Sequence, residues 1–176
     1  MKKPLILWGG ADVDPNYYHQ PRCIYTQTPD RGRDKFEFAQ VAKAVNDGTP
    51  VVGVCRGGQL LCVYNGGSLL QHTVPHKQQH SIETKDGQLF DKVSAGHHQI
   101  MLPKGIYDVL AVNPSPVDCW VTDDEKVSRS NTAEVVWFPE TKCLSIQPHP
   151  EWAAPNDPFV SWINRVMKEL GIDYAF

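Results

Sequence analysis

No apolar stretch in this sequence approaches the roughly 20 residues that a membrane-spanning helix requires. The start, Met1-Lys2-Lys3, could open a signal peptide, but the apolar run after it covers only Leu5 to Trp8 and stops at Gly9-Gly10. A cytoplasmic protein without a membrane partner is expected. A large excess of charge of either sign is also missing: 17 Lys and Arg against 20 Asp and Glu leave a net charge of −3. That balance argues against nucleic acid as a partner. Paired cysteines are lacking: the five present (Cys23, Cys55, Cys62, Cys119, Cys143) are scattered, odd in number and never spaced as C-x-x-C. A disulfide framework and a thiolate zinc site are thereby disfavoured, and each thiol has to be judged by its own surroundings. Repeats, low-complexity tracts and linkers are absent too, so residues 1–176 read as one domain, long enough to bury a core.

What is present alternates strand and helix signals. Pro4 to Trp8 reads as a buried strand closed by a glycine pair, and a turn-rich loop runs from there to about Arg33. Phe36, Phe38, Val41, Ala42 and Val45 recur at helical spacing. Val51 to Val54 is a second buried strand, followed by a helix over Gly57 to Asn65. This order predicts an α/β fold, a mostly parallel central sheet with helices on both faces. Later strands are expected at His80–Thr84, Tyr107–Asn113, Val117–Thr122, Ala133–Phe138 and Cys143–Gln147. A last helix within Pro155–Leu170 carries Phe159, Trp162, Ile163, Val166 and Met167 on one face.

The segment Gly53-Val54-Cys55-Arg56-Gly57-Gly58-Gln59 places a cysteine between a strand and a helix. A nucleophile there sits in a sharp, strained turn, and small residues two before and two after it relieve the crowding. The helix N-terminus is expected to favour the thiolate, and the next backbone N–H can face an oxyanion. Taken alone, the motif is equally compatible with a buried cysteine at a strand end. Gln147-Pro148-His149-Pro150-Glu151-Trp152 follows another strand and puts His149 on a loop whose flanking prolines restrict the backbone. Glu151, two residues on, can orient the imidazole, completing a nucleophile, base and orienter. An ordinary surface-loop histidine is the competing reading of this half.

Together, the G-x-C-x-G-x-Q elbow (Gly53 to Gln59) and His149-Pro150-Glu151 resemble the class I glutamine amidotransferase superfamily. Gly9 to Pro15 with Tyr17-Tyr18, Arg33-Asp34, Gly66 to Gln71, and His97-His98-Gln99 look most like γ-glutamyl hydrolases of the γ-glutamyl-GABA hydrolase type. The resemblance implies a flavodoxin-like fold, a Cys55–His149–Glu151 triad, and an oxyanion hole from Gly10 and the N–H of Arg56. It also implies a glutamyl-binding group made of Gln59, His97, His98 and Gln99. Gly10 could instead simply end a strand, and His97 or His98 could be a loop histidine with a local partner. No cofactor is implied.

Two departures stand out. Members of the superfamily usually carry an extra strand and helix before the strand that ends in Gly-Gly, whereas here Leu5 opens that strand. The domain thus reads as trimmed at its N-terminus, with a sheet that another chain or subunit could cover. Ala95 occupies the position, two before the histidine pair, where such hydrolases often place a serine. His72, His76 and His80, spaced by four, could suggest a metal, but Pro75 interrupts that helix and no metal is expected there. The expected function is cysteine-dependent hydrolysis of a γ-glutamyl amide, small-molecule in nature. The alternatives are a glutaminase subunit that passes ammonia to a synthetase or ligase partner, and an inactive scaffold or binding protein of the same fold. A homo-oligomer is compatible with each.

Overall fold

The computed structural model describes residues 2–74 and 79–176. Three parallel strands form the part of the fold on which the site depends: β1 (Leu5–Leu7), β2 (Val51–Val54) and, last in the chain, β12 (Cys143–Ile146). The pairings Leu7 with Gly53 and Ser145 with Gly53 bring their carboxyl ends to one edge. Between β2 and β12 come β3 (Ser68–Leu70), β4 (His72–Val74), β5 (His80–Thr84), β6 (Leu89–Val93), β7 (Ile100–Leu102), β8 (Asp108–Asn113), β9 (Val117–Trp120), β10 (Lys126–Arg129) and β11 (Thr132–Phe138). Among the described residues the main sheet has nine strands in the order β1-β2-β12-β11-β8-β5-β6, with β7 also on β11 and β3 on β7. A small antiparallel sheet, β10-β9-β4, stands apart from it.

The fold is α/β with a central sheet and helices, as expected, but its parallel part is smaller than the element order suggests. Among the described strands only β1/β2 and β2/β12 pair in parallel; the pairs from β11 to β6 are antiparallel. The physical reason is connection length. After the helix that follows β2, the connections between strands are too short for helical crossovers and fold back as antiparallel pairs.

Helices α1 (Arg31–Asn46) and α2 (Arg56–Tyr64) cover one face, and α3 (Pro158–Glu169) covers the other. The period of two along the strands divides the core accordingly. Val51 and Cys143 pack with α1 and α2, while their neighbours Val52 and Leu144 pack with α3. α3 starts on an Asp157 cap that accepts from the N–H groups of Phe159 and Val160, with Pro158 in its first turn. It buries Phe159, Trp162, Ile163, Val166 and Met167, the face read from the sequence.

α1 departs from its apolar pattern. It begins at Arg31, and its buried face is Asp34, Glu37, Val41 and Ala44, while Phe36 is exposed. Two carboxylates go inward because a buried cation, Arg56, waits for them. β1 pairs only with β2 among the described residues, and Leu5 and Ile6 are only half-buried, which is the condition of an edge strand. No helix among the described residues is long and apolar enough to cross a membrane.

Candidate active site

Gly9, Cys55 and His149 lie within three residues of the carboxyl ends of β1, β2 and β12, so the three parallel strands deliver them to a common edge. That edge is where open α/β sheets bind ligands. Cys55 has φ 53° and ψ −112°, a conformation that a non-glycine residue adopts only under constraint. The constraint is visible on both sides. A Cβ at Gly53 would collide with the backbone of Gly57, and one at Gly57 with the carbonyl of Leu7. The glycines of the elbow are therefore required by backbone-to-backbone packing.

The thiol does not take the charge state expected from the sequence. Burial pushes the Cys55 thiol up to about 12, and Glu151, Asp12 and Glu134 add repulsion to the thiolate. The N–H of Arg56, at the start of α2, pulls the other way and loses. The helix N-terminus thus favours the thiolate, as expected, but desolvation of a residue only 8% exposed outweighs it. Cys55 is thus held as a neutral thiol, which could attack only with a proton acceptor beside it.

His149 is placed to be that acceptor. A Cβ on Gly9 would lie 3.1 Å from His149 Cε1 and 3.9 Å from Cys55 Sγ, so thiol and ring face the same small space. Nδ1 of His149 sits 2.7 Å from Glu151 Oε1. A carboxylate there makes Nδ1 the donor and leaves Nε2 to exchange protons. The backbone N–H of His149 donates to the Ser94 carbonyl at 2.9 Å, and the ring lies flat against Trp152.

Gly10, the expected oxyanion donor, has φ 154°, and the Arg33 guanidinium fills the place of its side chain. Arg33 donates to the carbonyls of Gly9 (3.1 Å) and Trp8 (2.9 Å), holding the loop after β1. It also pairs with Glu37 at 2.8 Å. Glu37 and Asp34 in turn flank the guanidinium of Arg56, which is 2% exposed. Asp34 continues the chain by accepting the Asp14 N–H at 3.0 Å. Arg56 thus offers its backbone to the thiol and commits its charge to the interior.

The residues expected around the glutamyl group divide into three settings. Gln59 and Gln99 come together, Gln59 Nε2 lying 3.5 Å from the Gln99 carbonyl and 3.4 Å from Gln147 Oε1. His98 joins Asp12 (3.0 Å) and His72 (Nδ1 to Nδ1, 3.2 Å), with Tyr25 stacked on His72. His97 turns its ring toward Glu134 and His80. Burial favours the neutral form of His97, against the pull of Glu134. Of the series His72, His76 and His80, His76 lies outside the described residues, and the other two belong to these separate groups. Ala95 lies in the same 94–99 segment, one residue from the Ser94 carbonyl that holds His149.

Residues 3–116, well over half of the chain, match the family described as Peptidase C26. The chain belongs to that family. Among relatives, a Mycobacterium tuberculosis protein named provisionally as a glutamine amidotransferase is 47% identical over 68 residues, 39% of this chain and 22% of that protein. The chain thus matches less than a quarter of that relative's length. A glutamine amidotransferase from Thermotoga maritima superposes with a TM-score of 0.54 at 12% identity, covering 88% of this chain and 64% of its own. A Thermoplasma acidophilum protein, named provisionally as one component of a GMP synthase, gives 0.53 at 18% identity, covering 84% and 63%. These two likenesses establish the fold.

The Peptidase C26 match takes in Gly10, Cys55, Arg56, Gln59 and the 97–99 segment and ends before His149 and Glu151. Several residues of the site carried little sequence signal. Trp152 and Ser94 act through stacking and a carbonyl. Glu134 is a lone acid in an apolar strand. The spacing of Arg33 and Glu37 by four, and of Asp34 and Glu37 by three, was the one readable sign of the buried charge group.

Proposed function

We propose that the protein hydrolyses a γ-glutamyl amide, that of glutamine or of a γ-glutamyl amine, through a thioester on Cys55. The observation that carries this reading is the shared placement of Cys55 and His149 at Gly9, with Glu151 fixing the imidazole so that Nε2 can move protons. Family membership supports a hydrolytic enzyme, and the motifs around Gly9, Arg33 and His97-His98-Gln99 support the γ-glutamyl-GABA hydrolase type within it.

In the first step Cys55 Sγ bonds to the γ-carbonyl carbon while its proton passes to His149 Nε2. The N–H groups of Gly10 and Arg56 hold the oxyanion, at about 3 kcal/mol for each donor. The carbon–nitrogen bond then breaks, and the leaving amine takes the proton from His149. Water attacks the thioester, giving a proton to His149, and collapse returns that proton to the sulfur and releases glutamate. A thiol held neutral by burial suits this sequence, because the proton transfer to His149 then accompanies attack instead of preceding it. Gln59 and the backbone at Gln99 lie together, which supports their holding the amino-acid end of the substrate as a pair.

The test is glutamate release from glutamine and from a panel of γ-glutamyl amines. Wild type should turn over at least one of them, and Cys55→Ala should turn over none while keeping its thermal midpoint. Full activity in Cys55→Ala, or no release from any substrate, overturns the reading. Release from glutamine alone, rising when a synthetase partner is added, would instead identify the ammonia-supplying role.

A further inference from the structure

We propose that His80, His97 and Glu134 form a zinc site beside the active-site edge, independent of amide cleavage. The three come from the start of β5, the loop before β7, and the interior of β11, and their donor atoms all lie within 4.8 Å of one another. Glu134 is 1% exposed, an acidic side chain inside an otherwise apolar strand.

The hydrogen-bond pattern points to a cation between these groups. His97 Nδ1 lies 3.0 Å from the Gln99 carbonyl, which can only accept, so Nδ1 carries the proton. Nε2 of the same ring then faces Glu134 Oε2 at 3.6 Å, beyond hydrogen-bond range. Both atoms are fully buried, and neither has a hydrogen-bond partner among the described residues. A ring lone pair and a carboxylate lone pair directed at each other without a proton between them are costly in a dry interior. A divalent cation satisfies both at once.

The geometry suits zinc. Bonds of 2.0–2.1 Å in a tetrahedral site separate the donors by about 3.3 Å. Here His80 Nε2 is 3.2 Å from Glu134 Oε1, and His97 Nε2 is 3.6 Å from Oε2. The two rings stand at 78°, with centroids 5.5 Å apart, so they approach the carboxylate from different directions. The bond from His97 Nδ1–H to a backbone carbonyl is the outer contact that metal-bound histidines make. Two imidazoles and a carboxylate form a borderline donor set that selects zinc over magnesium or calcium. The His80 side chain remains 19% exposed, which leaves an access route and room for water as a further ligand.

The test uses chelator-stripped Cys55→Ala protein, so that the thiol cannot bind metal. Titration with Co2+ should reach one ion per chain with the visible absorption of a tetrahedral site, and Zn2+ should displace it. Affinity should fall at least about 100-fold in Cys55→Ala/Glu134→Gln and stay within twofold in Cys55→Ala/Glu151→Gln. Absence of saturable uptake overturns the proposal, as does uptake undiminished by Glu134→Gln. Should Glu134→Gln fail to fold, ring-nitrogen NMR of the Cys55→Ala protein decides: Zn2+ should move the Nε2 resonances of His80 and His97, and movement of His149 alone overturns the site.

Discussion

The indole of Trp152 lies flat on the imidazole of His149, with ring centroids 3.5 Å apart and planes within 1° of parallel. Trp152 stays 61% exposed to do this, so the large apolar ring serves the histidine more than the core. An indole face attracts a cation by about 0.5–1 kcal/mol at an exposed site. An imidazolium formed in each half of the proposed reaction should gain that much. Trp152→Ala is expected to lower kcat for glutamate release about 2- to 5-fold, with Trp152→Phe retaining most of it. An unchanged kcat in Trp152→Ala would remove this role.

The reactivity of Cys55 with iodoacetamide should follow its burial. Its thiol is pushed up to about 12, so labelling of the unliganded protein should be slow at pH 7 and still rising at pH 10. Mass spectrometry of the tryptic peptide containing Cys55 reads this out. A plateau below pH 8.5 would mean that the start of α2 sets the charge state after all.

Arg56 should prove a structural cation whose side chain makes no contact with substrate. Removing it as Arg56→Met leaves Asp34 buried without its cation and Glu37 with Arg33 alone, a loss on the order of 3–5 kcal/mol in urea unfolding. Adding Asp34→Asn and Glu37→Gln to that variant should restore a large part of the stability, because the one charge then left without its partner, Arg33, is partly exposed to water. A triple variant as unstable as Arg56→Met would refute the account.

Stability should fall under alkaline conditions even in the presence of reductant. Burial raises the Cys55 and Cys62 thiols to about 12, from 9.0 in the open chain. The folded state therefore holds protons that the unfolded state gives up. The stabilisation is complete below pH 9 and is lost as pH rises toward 12, by up to about 1.4 kcal/mol per pH unit for each thiol. Urea midpoints from pH 8 to 11 test this, and Cys62→Ala should show a shallower slope whatever its stability at pH 8.

Much of the site was legible in the sequence because its spacing is local. The elbow glycines, the strand ends and the His-Pro-Glu segment each fit in a few residues, and the structure sets them on one edge. Strands β5, β8, β9, β11 and β12 and helix α3 were equally readable from their apolar patterns. Strands Ser68–Leu70, His72–Val74 and Ile100–Leu102 were not, since so few residues carry no period, nor were Leu89–Val93 and Lys126–Arg129, whose mostly exposed residues do not alternate cleanly. α1 misled in another way: its apolar residues suggested one face, while the partners of Arg56 claimed another. Glu134 and His80 could not be paired from sequence because they stand far apart in the chain and only the sheet joins them.

The contact between Gly57 and the Leu7 carbonyl has a consequence for how the protein tolerates change. The strand leading to the Gly9-Gly10 loop and the helix bearing the Arg56 N–H meet main chain to main chain, with no side chain between them. Substitutions elsewhere in the core can loosen packing without altering that spacer, because it has no rotamers to repack. Sequence drift in this fold should therefore erode its lifetime at elevated temperature well before it detunes the spacing between the Gly9-Gly10 loop and the Arg56 N–H.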